Sequence, residues 1–200
     1  MKRLILFDLG GVVNKYADEI YYNYFYRLNG FTKKQVDNKL GKTVDKFESG
    51  KLSLSEFEKQ VASDFCILPE QVKWVAFFKK LARLDYGTVS IIKRLKPNYK
   101  IAFLSNVDRW RYNYAMAHTY NKTKKLFDYK FASFKLGLVK PNPLIYKKVL
   151  KATRTKPSEV VFIDNSIKNV KAARSMGITS IHFRNARKLR LQLKRFGVKF

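Results

Sequence analysis

Polar side chains stand at the ends of three short apolar runs in this chain. An apolar run of four to six residues that stops at polar residues is typical of a buried β-strand, because a helix needs a longer, periodic pattern. In an open parallel sheet, ligands bind outside the carboxyl ends of the strands. We therefore expect these side chains to converge at one edge of a sheet. They are Asp8, Ser105, Asn106, Asp164 and Asn165.

These residue types, together with Lys140 at the head of a predicted helix, can carry out chemistry on a phosphate group. The Asp8 carboxylate can attack phosphorus and form an aspartyl-phosphate, which divides a difficult hydrolysis into two easier steps. The Ser105 hydroxyl and the Lys140 ammonium can hold the nonbridging oxygens, while Mg²⁺ offsets the repulsion between an anionic nucleophile and an anionic substrate. Gly10 and Gly11 carry no Cβ, so the backbone after Asp8 can approach a ligand closely.

Two patterns indicate how the chain builds that edge. From about residue 88, helical and strand patterns alternate, which implies a parallel sheet covered on both faces. The segment between the first strand and this region has helical spacing throughout. We predict an α/β fold with a doubly wound parallel sheet core, residues 1–13 and 86–200, and a small helical domain, residues 14–85, inserted after the first strand.

Within the inserted segment, apolar residues at helical spacing predict three helices. Pro69 would open the third of them. The apolar faces are marked by Tyr21, Tyr24, Phe25 and Leu28, then by Leu54, Phe57, Val61 and Phe65, and then by Trp74, Phe77, Phe78 and Leu81.

The charge of the chain is strongly positive and unevenly distributed. There are 42 Lys and Arg residues against 15 Asp and Glu residues, which gives a net charge of +27. Residues 14–85 carry about +3 and the remainder about +24, and no acidic residue follows Asp164. Such a surface attracts polyanions, either nucleic acid or an anionic membrane, and would steer a phosphorylated small substrate. A basic bias that serves only solubility is the alternative explanation.

The absence of a recognisable export signal and the low cysteine content predict a cytoplasmic protein. No apolar run approaches the roughly 18 residues that a bilayer span needs, and no export signal precedes Asp8, so we predict no membrane insertion. The single cysteine, Cys66, excludes an internal disulfide and a cysteine metal cluster, which fits a reducing compartment. We predict that Cys66 is a small buried hydrophobic residue rather than a nucleophile.

The segments around the polar residues resemble the four motifs of the haloacid dehalogenase superfamily, in the same order and at similar spacing. These segments are Phe7–Val12, Leu104–Asn106, Gly137–Pro141, and Phe162–Ser166 with Asn169. The inserted helices resemble the C1 cap that those enzymes carry after the first strand, and the stretch from Ser49 to Phe57 resembles the small sugar-phosphate phosphatase branch. The resemblance covers nearly the whole chain and implies a Rossmann-like core beneath a cap.

The resemblance implies a Mg²⁺-dependent, phosphatase-like hydrolase that cleaves a phosphate monoester of a small metabolite, such as a sugar phosphate. Asp8 would be the nucleophile and a metal ligand, and the backbone carbonyl of Gly10 a second ligand. Lys140 would neutralise charge on the nucleophile and the phosphate. The remaining motif residues would bind the phosphoryl group, namely Ser105 and Asn106, or complete the metal site, namely Asp164 and Asn165.

Two positions depart from the superfamily's pattern. Gly10 stands where an Asp usually protonates the leaving group, a contribution of about 10²–10⁴-fold, although the sugar-phosphate branch also has Gly there. Asp18 and Glu19 are the candidate replacement donors. Asn165 stands where a second acid often binds the metal, so we expect weak Mg²⁺ affinity, because an amide oxygen carries no net charge.

Two other functions fit the sequence. One is a catalytically weak protein of this fold that binds nucleic acid through its basic core surface, where the stretch 109–114 interleaves arginines with aromatic residues. The simpler interpretation of that stretch is an amphipathic helix with Trp110 and Tyr114 packed inward and the arginines in water. The other function is a metal-independent 2-haloacid dehalogenase, in which Asp8 attacks carbon. The pattern indicates no oligomeric state.

Overall fold

The computed structural model describes residues 1–15, 18–27 and 30–200. Within them, five strands form one parallel sheet in the order β3-β2-β1-β4-β5. The strands are β1 (Leu4–Phe7), β2 (Lys100–Ser105), β3 (Tyr129–Ala132), β4 (Val160–Asp164) and β5 (Thr179–His182). Strand β1 is central: β2 and β3 extend the sheet on one side of it, and β4 and β5 extend it on the other. This order confirms the predicted doubly wound α/β sheet.

The register of the sheet aligns the polar strand ends. Phe7 is paired with Phe103 on β2 and with Ile163 on β4. The backbone N–H of Asp8 donates to the carbonyl of Ile163 at 2.8 Å, which extends this alignment one residue further. Ser105 and Asp164 are the last residues of β2 and β4. All three polar residues therefore lie at the carboxyl edge of the sheet.

Both faces of the sheet are covered, because alternate residues of each strand point to opposite sides. On one face Ile5 and Phe7 belong to a buried cluster that includes residues of α5 (Tyr86–Leu95) and α10 (Ala186–Arg195). On the other face Leu4 and Leu6 belong to a cluster with α8 (Pro143–Thr153). The remaining helices of this part are α6 (Arg109–Ala117), α7 (Ser133–Leu136) and α9 (Ile167–Ser175).

The first four helices after β1 have an apolar core of their own. They are α1 (Asp18–Tyr26), α2 (Lys33–Glu48), α3 (Leu54–Phe65) and α4 (Trp74–Leu81). Tyr21, Phe57 and Trp74 are fully or almost fully buried there, with the Tyr21 and Trp74 rings 4.5 Å apart. Phe78, one turn further along α4, is buried in the cluster beneath the sheet instead. The boundaries 14–85 for a separate domain stay a prediction.

The structure adds a helix that the sequence pattern did not predict. Helix α2 buries one face of Val36, Leu40, Val44 and Phe47. That spacing was readable in the sequence, as was the capping box in which the Thr32 side chain accepts from the N–H of Gln35. The predicted position Leu28 lies outside the described residues.

The prediction for Cys66 is wrong. Cys66 is exposed, because it ends α3 in a left-handed backbone conformation with φ of 53° and so lies beyond the buried face of that helix. In the described part of the chain, no helix is both long and apolar enough to cross a bilayer.

Candidate active site

Lys140 is the centre of the polar cluster at the sheet edge. Its Nζ lies 2.9 Å from Oδ1 of Asp8 and 2.7 Å from Oδ2 of Asp164, and its side chain is 1% exposed. The two carboxylates come from the ends of β1 and β4, whereas Lys140 enters from the segment between α7 and α8. One buried ammonium is thus shared by two carboxylates, which leaves the cluster with a surplus negative charge.

Asp164 is fully engaged by hydrogen-bond donors. Its Oδ1 accepts from the backbone N–H of Ser166 at 2.7 Å and from Nδ2 of Asn169 at 3.1 Å. Its Oδ2 accepts from Lys140 and also from Asn169, at 3.0 Å. Three donor groups thus make four contacts to the two carboxylate oxygens, and neither oxygen is without a donor. As placed, Asp164 holds Lys140 in position and presents no oxygen to a further ligand.

Asn106 uses its side chain to hold the backbone of Lys140. Its Oδ1 accepts from the Lys140 N–H at 2.8 Å, and its Nδ2 donates to the Lys140 carbonyl at 3.0 Å. The described residues provide no backbone acceptor for the Asn106 N–H, so this is the donor of Asn106 that is left for an anion. The hydroxyl of Ser105 has only a long contact of 3.5 Å to the Asn106 carbonyl, so it is available to a phosphoryl oxygen.

Asn165 lies over the turn that follows Asp8. A Cβ added to Gly11, which has φ of +69°, would lie 2.3 Å from Nδ2 of Asn165, so only glycine leaves room for this amide. The carbonyl of Asn165 is hydrogen bonded to Nε2 of His182 at 2.9 Å, which fixes the backbone at the end of β4. The amide side chain is thereby brought to the Asp8 turn, as the sequence predicted from the two strand ends.

The oxygen atoms of this turn fit a hard divalent cation. The structure records contacts to Oδ1 of Asp8, from Lys140 and from the Leu9 N–H at 2.7 Å, and within the described residues it records none to Oδ2. In the same part of the chain, the Gly10 carbonyl accepts no backbone hydrogen bond. No group of three His, Cys, Asp or Glu side chains suited to a metal occurs among the residues described. A cation here would need the Gly10 carbonyl and the Asn165 amide as ligands beside Asp8.

The electrostatics of the cluster follow from burial. The pKa of Asp8 is raised to about 7, chiefly by burial, which the Lys140 ammonium opposes and the nearby Asp164 carboxylate reinforces. The two carboxylates outweigh the burial of Lys140 and raise the pKa of its ammonium above its ordinary value. Lys140 is therefore cationic at neutral pH, and a second positive charge near Asp8 would favour its ionised form.

A small cavity lies beside the cluster, with a volume of about 40 Å³. Its wall includes Gly10, Ser105, Asn14 and Tyr120. Nδ2 of Asn14 donates a hydrogen bond of 2.7 Å to the phenol oxygen of Tyr120. The cavity has room for a water molecule or a small substituent, but not for a sugar. The side chains of Asp18 and Glu19, the predicted proton donors, lie outside the described part of the chain.

A buried ionic network that the sequence did not indicate lies next to the cluster. Arg111, on α6, forms an ion pair with Asp108 at 2.5 Å and another with Glu48 at the end of α2. The prediction that the arginines of α6 lie in water is therefore wrong for Arg111, which is 2% exposed. Helical periodicity alone could not reveal this, because the partner Glu48 lies more than 60 residues away. Trp110 and Tyr114 stack at 5.3 Å and pack against the core, as predicted.

Comparison with known proteins agrees with this architecture. The family model of the haloacid dehalogenase-like hydrolases matches residues 2–177. The chain is similar to a D-ribitol-5-phosphate phosphatase from Bacteroides thetaiotaomicron, with 30% identity over 209 residues that cover 96% of this chain and 97% of that protein.

Solved structures show the same fold. A predicted HAD-like family hydrolase from Porphyromonas gingivalis superposes with a TM-score of 0.78 at 23% identity, covering 100% of both chains. A HAD family enzyme from Bacteroides thetaiotaomicron, in complex with magnesium and inorganic phosphate, gives a TM-score of 0.74 at 22% identity, covering 92% of this chain and 96% of that one. The family match, the relative and the five-stranded sheet agree, and the chain belongs to the haloacid dehalogenase-like hydrolases.

Proposed function

We propose that this hydrolase is a phosphatase that cleaves a phosphate monoester of a small metabolite through an aspartyl-phosphate on Asp8. The observation that carries the proposal is the position of Lys140, whose Nζ lies 2.9 Å from Asp8 and 2.7 Å from Asp164 at the sheet edge. A cation at this place can contact both the nucleophile and the phosphoryl oxygens. The similarity to a ribitol-phosphate phosphatase supports a phosphorylated sugar or sugar alcohol as the substrate.

In the first step, Oδ2 of Asp8 attacks phosphorus, the bond from phosphorus to the leaving oxygen breaks, and that oxygen takes a proton from water. The phosphoryl group is then carried on Asp8. The Ser105 hydroxyl, the Asn106 backbone N–H and the Lys140 ammonium hold the nonbridging oxygens, which carry most of the charge in the transition state. In the second step, water attacks phosphorus and releases a proton to the solvent, the bond to Asp8 breaks, and inorganic phosphate leaves.

Mg²⁺ is the proposed cofactor, and the Asp8 carboxylate, the Gly10 carbonyl and the Asn165 amide oxygen would hold it. When bound, it neutralises negative charge on the attacking carboxylate and the phosphoryl group. The expectation that Asp164 is also a ligand is revised in this proposal, because both of its oxygens already accept from Lys140, Asn169 and Ser166. Asp164 instead keeps Lys140 in place. The magnesium and phosphate in a related structure support the choice of metal.

Asn165→Asp should tighten Mg²⁺ binding about tenfold, because a carboxylate replaces a neutral amide oxygen next to the metal. The affinity is measured by isothermal titration calorimetry and, independently, as the Mg²⁺ concentration that gives half-maximal activity. Asn98→Asp, at an exposed turn after α5, changes the net charge equally and should leave the affinity unchanged. Equal affinities in wild type and Asn165→Asp would remove Asn165 from the metal site.

Activity should fall steeply as the leaving group becomes more basic, because Gly10 cannot protonate the departing oxygen. An aryl phosphate should react about 10²–10⁴-fold faster than an alkyl phosphate in kcat/KM. Gly10 does not have a positive φ, so its backbone accepts a side chain there. Gly10→Asp should flatten the dependence by accelerating alkyl phosphates alone. Equal rates for aryl and alkyl phosphates in wild type would show that another residue donates the proton.

The proposal is tested by phosphate release from an aryl phosphate, with Mg²⁺ and with a chelator, followed by a panel of sugar and alditol phosphates. Release that requires both Asp8 and metal would support it. Halide release from a 2-haloacid without metal would instead favour the dehalogenase. Salt-sensitive binding of an oligonucleotide, with no phosphate release from any substrate, would favour the nucleic-acid protein. The cytoplasmic location stays a prediction.

A further inference from the structure

The ionic network joins the inserted helices to the core in the interior of the protein. Glu48, the last residue of α2, and Arg111 have side chains that are 4% and 3% exposed, and the Asp108 side chain is completely buried. Asp108 also accepts a hydrogen bond of 3.3 Å from the indole N–H of Trp74 on α4. The Arg111 guanidinium lies 4.4 Å from the centre of the Trp74 ring. Two inserted helices therefore reach the same pair of core residues.

A second connection begins at the backbone of Glu48. The Ser133 hydroxyl, at the start of α7, donates to the Glu48 carbonyl at 2.6 Å and accepts from the N–H of Val107 at 2.8 Å. The turn after Glu48 also rests on α7, because a Cβ at Gly50 would lie 2.8 Å from the Phe134 carbonyl oxygen. Glu48 thus contacts the core through its side chain and through its backbone.

Both connections end on the phosphate-binding loop, residues 105–108. Val107 is held through Ser133, and Asp108 is held through Arg111 and caps α6 by accepting from the Arg111 N–H at 2.9 Å. Asn106 directly precedes these two anchored residues, and its side chain holds the backbone of Lys140 with two hydrogen bonds. The position of the inserted helices is therefore linked through this loop to the proposed phosphate-binding groups.

We propose that Glu48 and Arg111 are positioning residues for the phosphatase reaction proposed above, on which this inference rests. They fix the phosphate-binding loop against the docked helical insert, so that Ser105, the Asn106 N–H and Lys140 have their working geometry only while the insert is docked. Separating the insert would take Glu48 away from Arg111 and the Trp74 N–H away from Asp108, and losing these buried partners favours the docked arrangement. Neither residue touches the phosphoryl group.

Amide hydrogen exchange tests the inference without any substrate. In Glu48→Gln, whose side chain keeps its shape but loses its charge, the amides of Val107 and Arg111 should exchange about tenfold faster than in wild type. Tyr21→Phe is the matched control, because the Tyr21 hydroxyl donates to the Val72 carbonyl at 2.8 Å entirely within the inserted helices. It should leave those two amides unchanged. Unchanged exchange in Glu48→Gln overturns the inference, whatever the activity.

Kinetic measurements then distinguish a positioning role of Glu48 from a purely stabilising role. Glu48→Gln should lower kcat about 10–100-fold and weaken the binding of inorganic phosphate, because small displacements of positioning groups are costly to the chemical step. Tyr21→Phe should lower the melting temperature but keep kcat within twofold. Arg111→Lys should behave like Glu48→Gln, because a lysine keeps the charge but cannot bridge both carboxylates. A Glu48→Gln protein with wild-type kcat and phosphate affinity would contradict the inference.

A second variant covers the case in which Glu48→Gln does not fold. Trp74→Phe keeps an aromatic ring beneath Arg111 but removes the N–H that reaches Asp108, together with part of the buried ring. It should raise exchange at the Arg111 amide two- to fivefold and lower kcat by a similar factor. Wild-type exchange and kcat in this variant would count against the inference. If wild type hydrolyses no phosphate ester, the proposed function fails, and the exchange data still show whether Glu48 holds the loop.

Discussion

Asp8→Asn should abolish phosphate release from every substrate that the wild-type protein hydrolyses, with a rate at least about 10⁴-fold lower. The amide cannot attack phosphorus, and no other carboxylate can replace it. Asp164 is completely buried, and each of its oxygens accepts from two donors. The side chain keeps its shape, so the loss should appear in kcat while the protein still binds inorganic phosphate.

The same substitution should stabilise the metal-free protein at neutral pH. The pKa of Asp8 is raised to about 7 in the folded state, so folding favours the neutral carboxyl that asparagine imitates. The folded protein then binds more protons than the unfolded chain between about pH 4 and pH 7, and wild-type stability falls as the pH rises through that range. The Asp8→Asn protein does not lose stability in this way. Its free energy of unfolding should equal that of wild type near pH 4 and exceed it by on the order of 1–3 kcal/mol above pH 7.

Both parts of this prediction are measured on one pair of proteins. Phosphate release is followed with an aryl phosphate in Mg²⁺, and urea unfolding is followed in a chelator at pH 4, 5.5 and 7.5. Residual activity within about tenfold of wild type would remove Asp8 as the nucleophile. A stability difference that shrinks as the pH rises would contradict the raised pKa.

Lys140→Met should reduce both activity and stability severely. Methionine fills a similar volume but leaves Asp8 and Asp164 facing each other without a cation. Removing one partner from a buried ion pair typically costs about 3–5 kcal/mol, because the remaining charge stays buried. Activity should fall at least about 10²–10³-fold, because the charge that stabilises the phosphoryl oxygens is lost.

A double variant separates the two effects of Lys140. Adding Asp164→Asn to Lys140→Met removes the uncompensated carboxylate and should restore about half of the lost unfolding free energy, while activity stays absent. Lys147→Met, at an exposed position of α8, is the control and should change stability by less than about 0.5 kcal/mol. Melting temperatures and phosphate release are compared across the set. A Lys140→Met protein of wild-type stability would contradict the buried ion pairs.

The sequence was sufficient for the fold and for the convergence of the site. Short apolar runs that stop at polar residues predict strands ending at one edge, and the parallel register aligns Asp8 with the ends of β2 and β4 as expected. These signals are local: strand length, helical period and the polar residue after each run can be read within a window of a few residues. The family motifs are local for the same reason.

The tertiary structure decided the contacts between distant segments. Whether Asp164 binds a ligand or holds Lys140 depends on which donors reach its oxygens, and Lys140 reaches them from a segment 24 residues away. The side chain of Asn106 is committed to Lys140 because two loops meet.

Arg111 is the clearest example of a residue whose contacts the local sequence does not predict. Its neighbours in sequence predict a surface arginine, yet it is buried because Glu48, on a distant helix, and Asp108, one turn away, compensate its charge. Sequence alone determined which residues stand at the carboxyl edge of the sheet, since strand ends are a local property. Only the packing of the helical insert against the core decided what each of them touches, because that depends on charges and shapes from segments far apart in the chain.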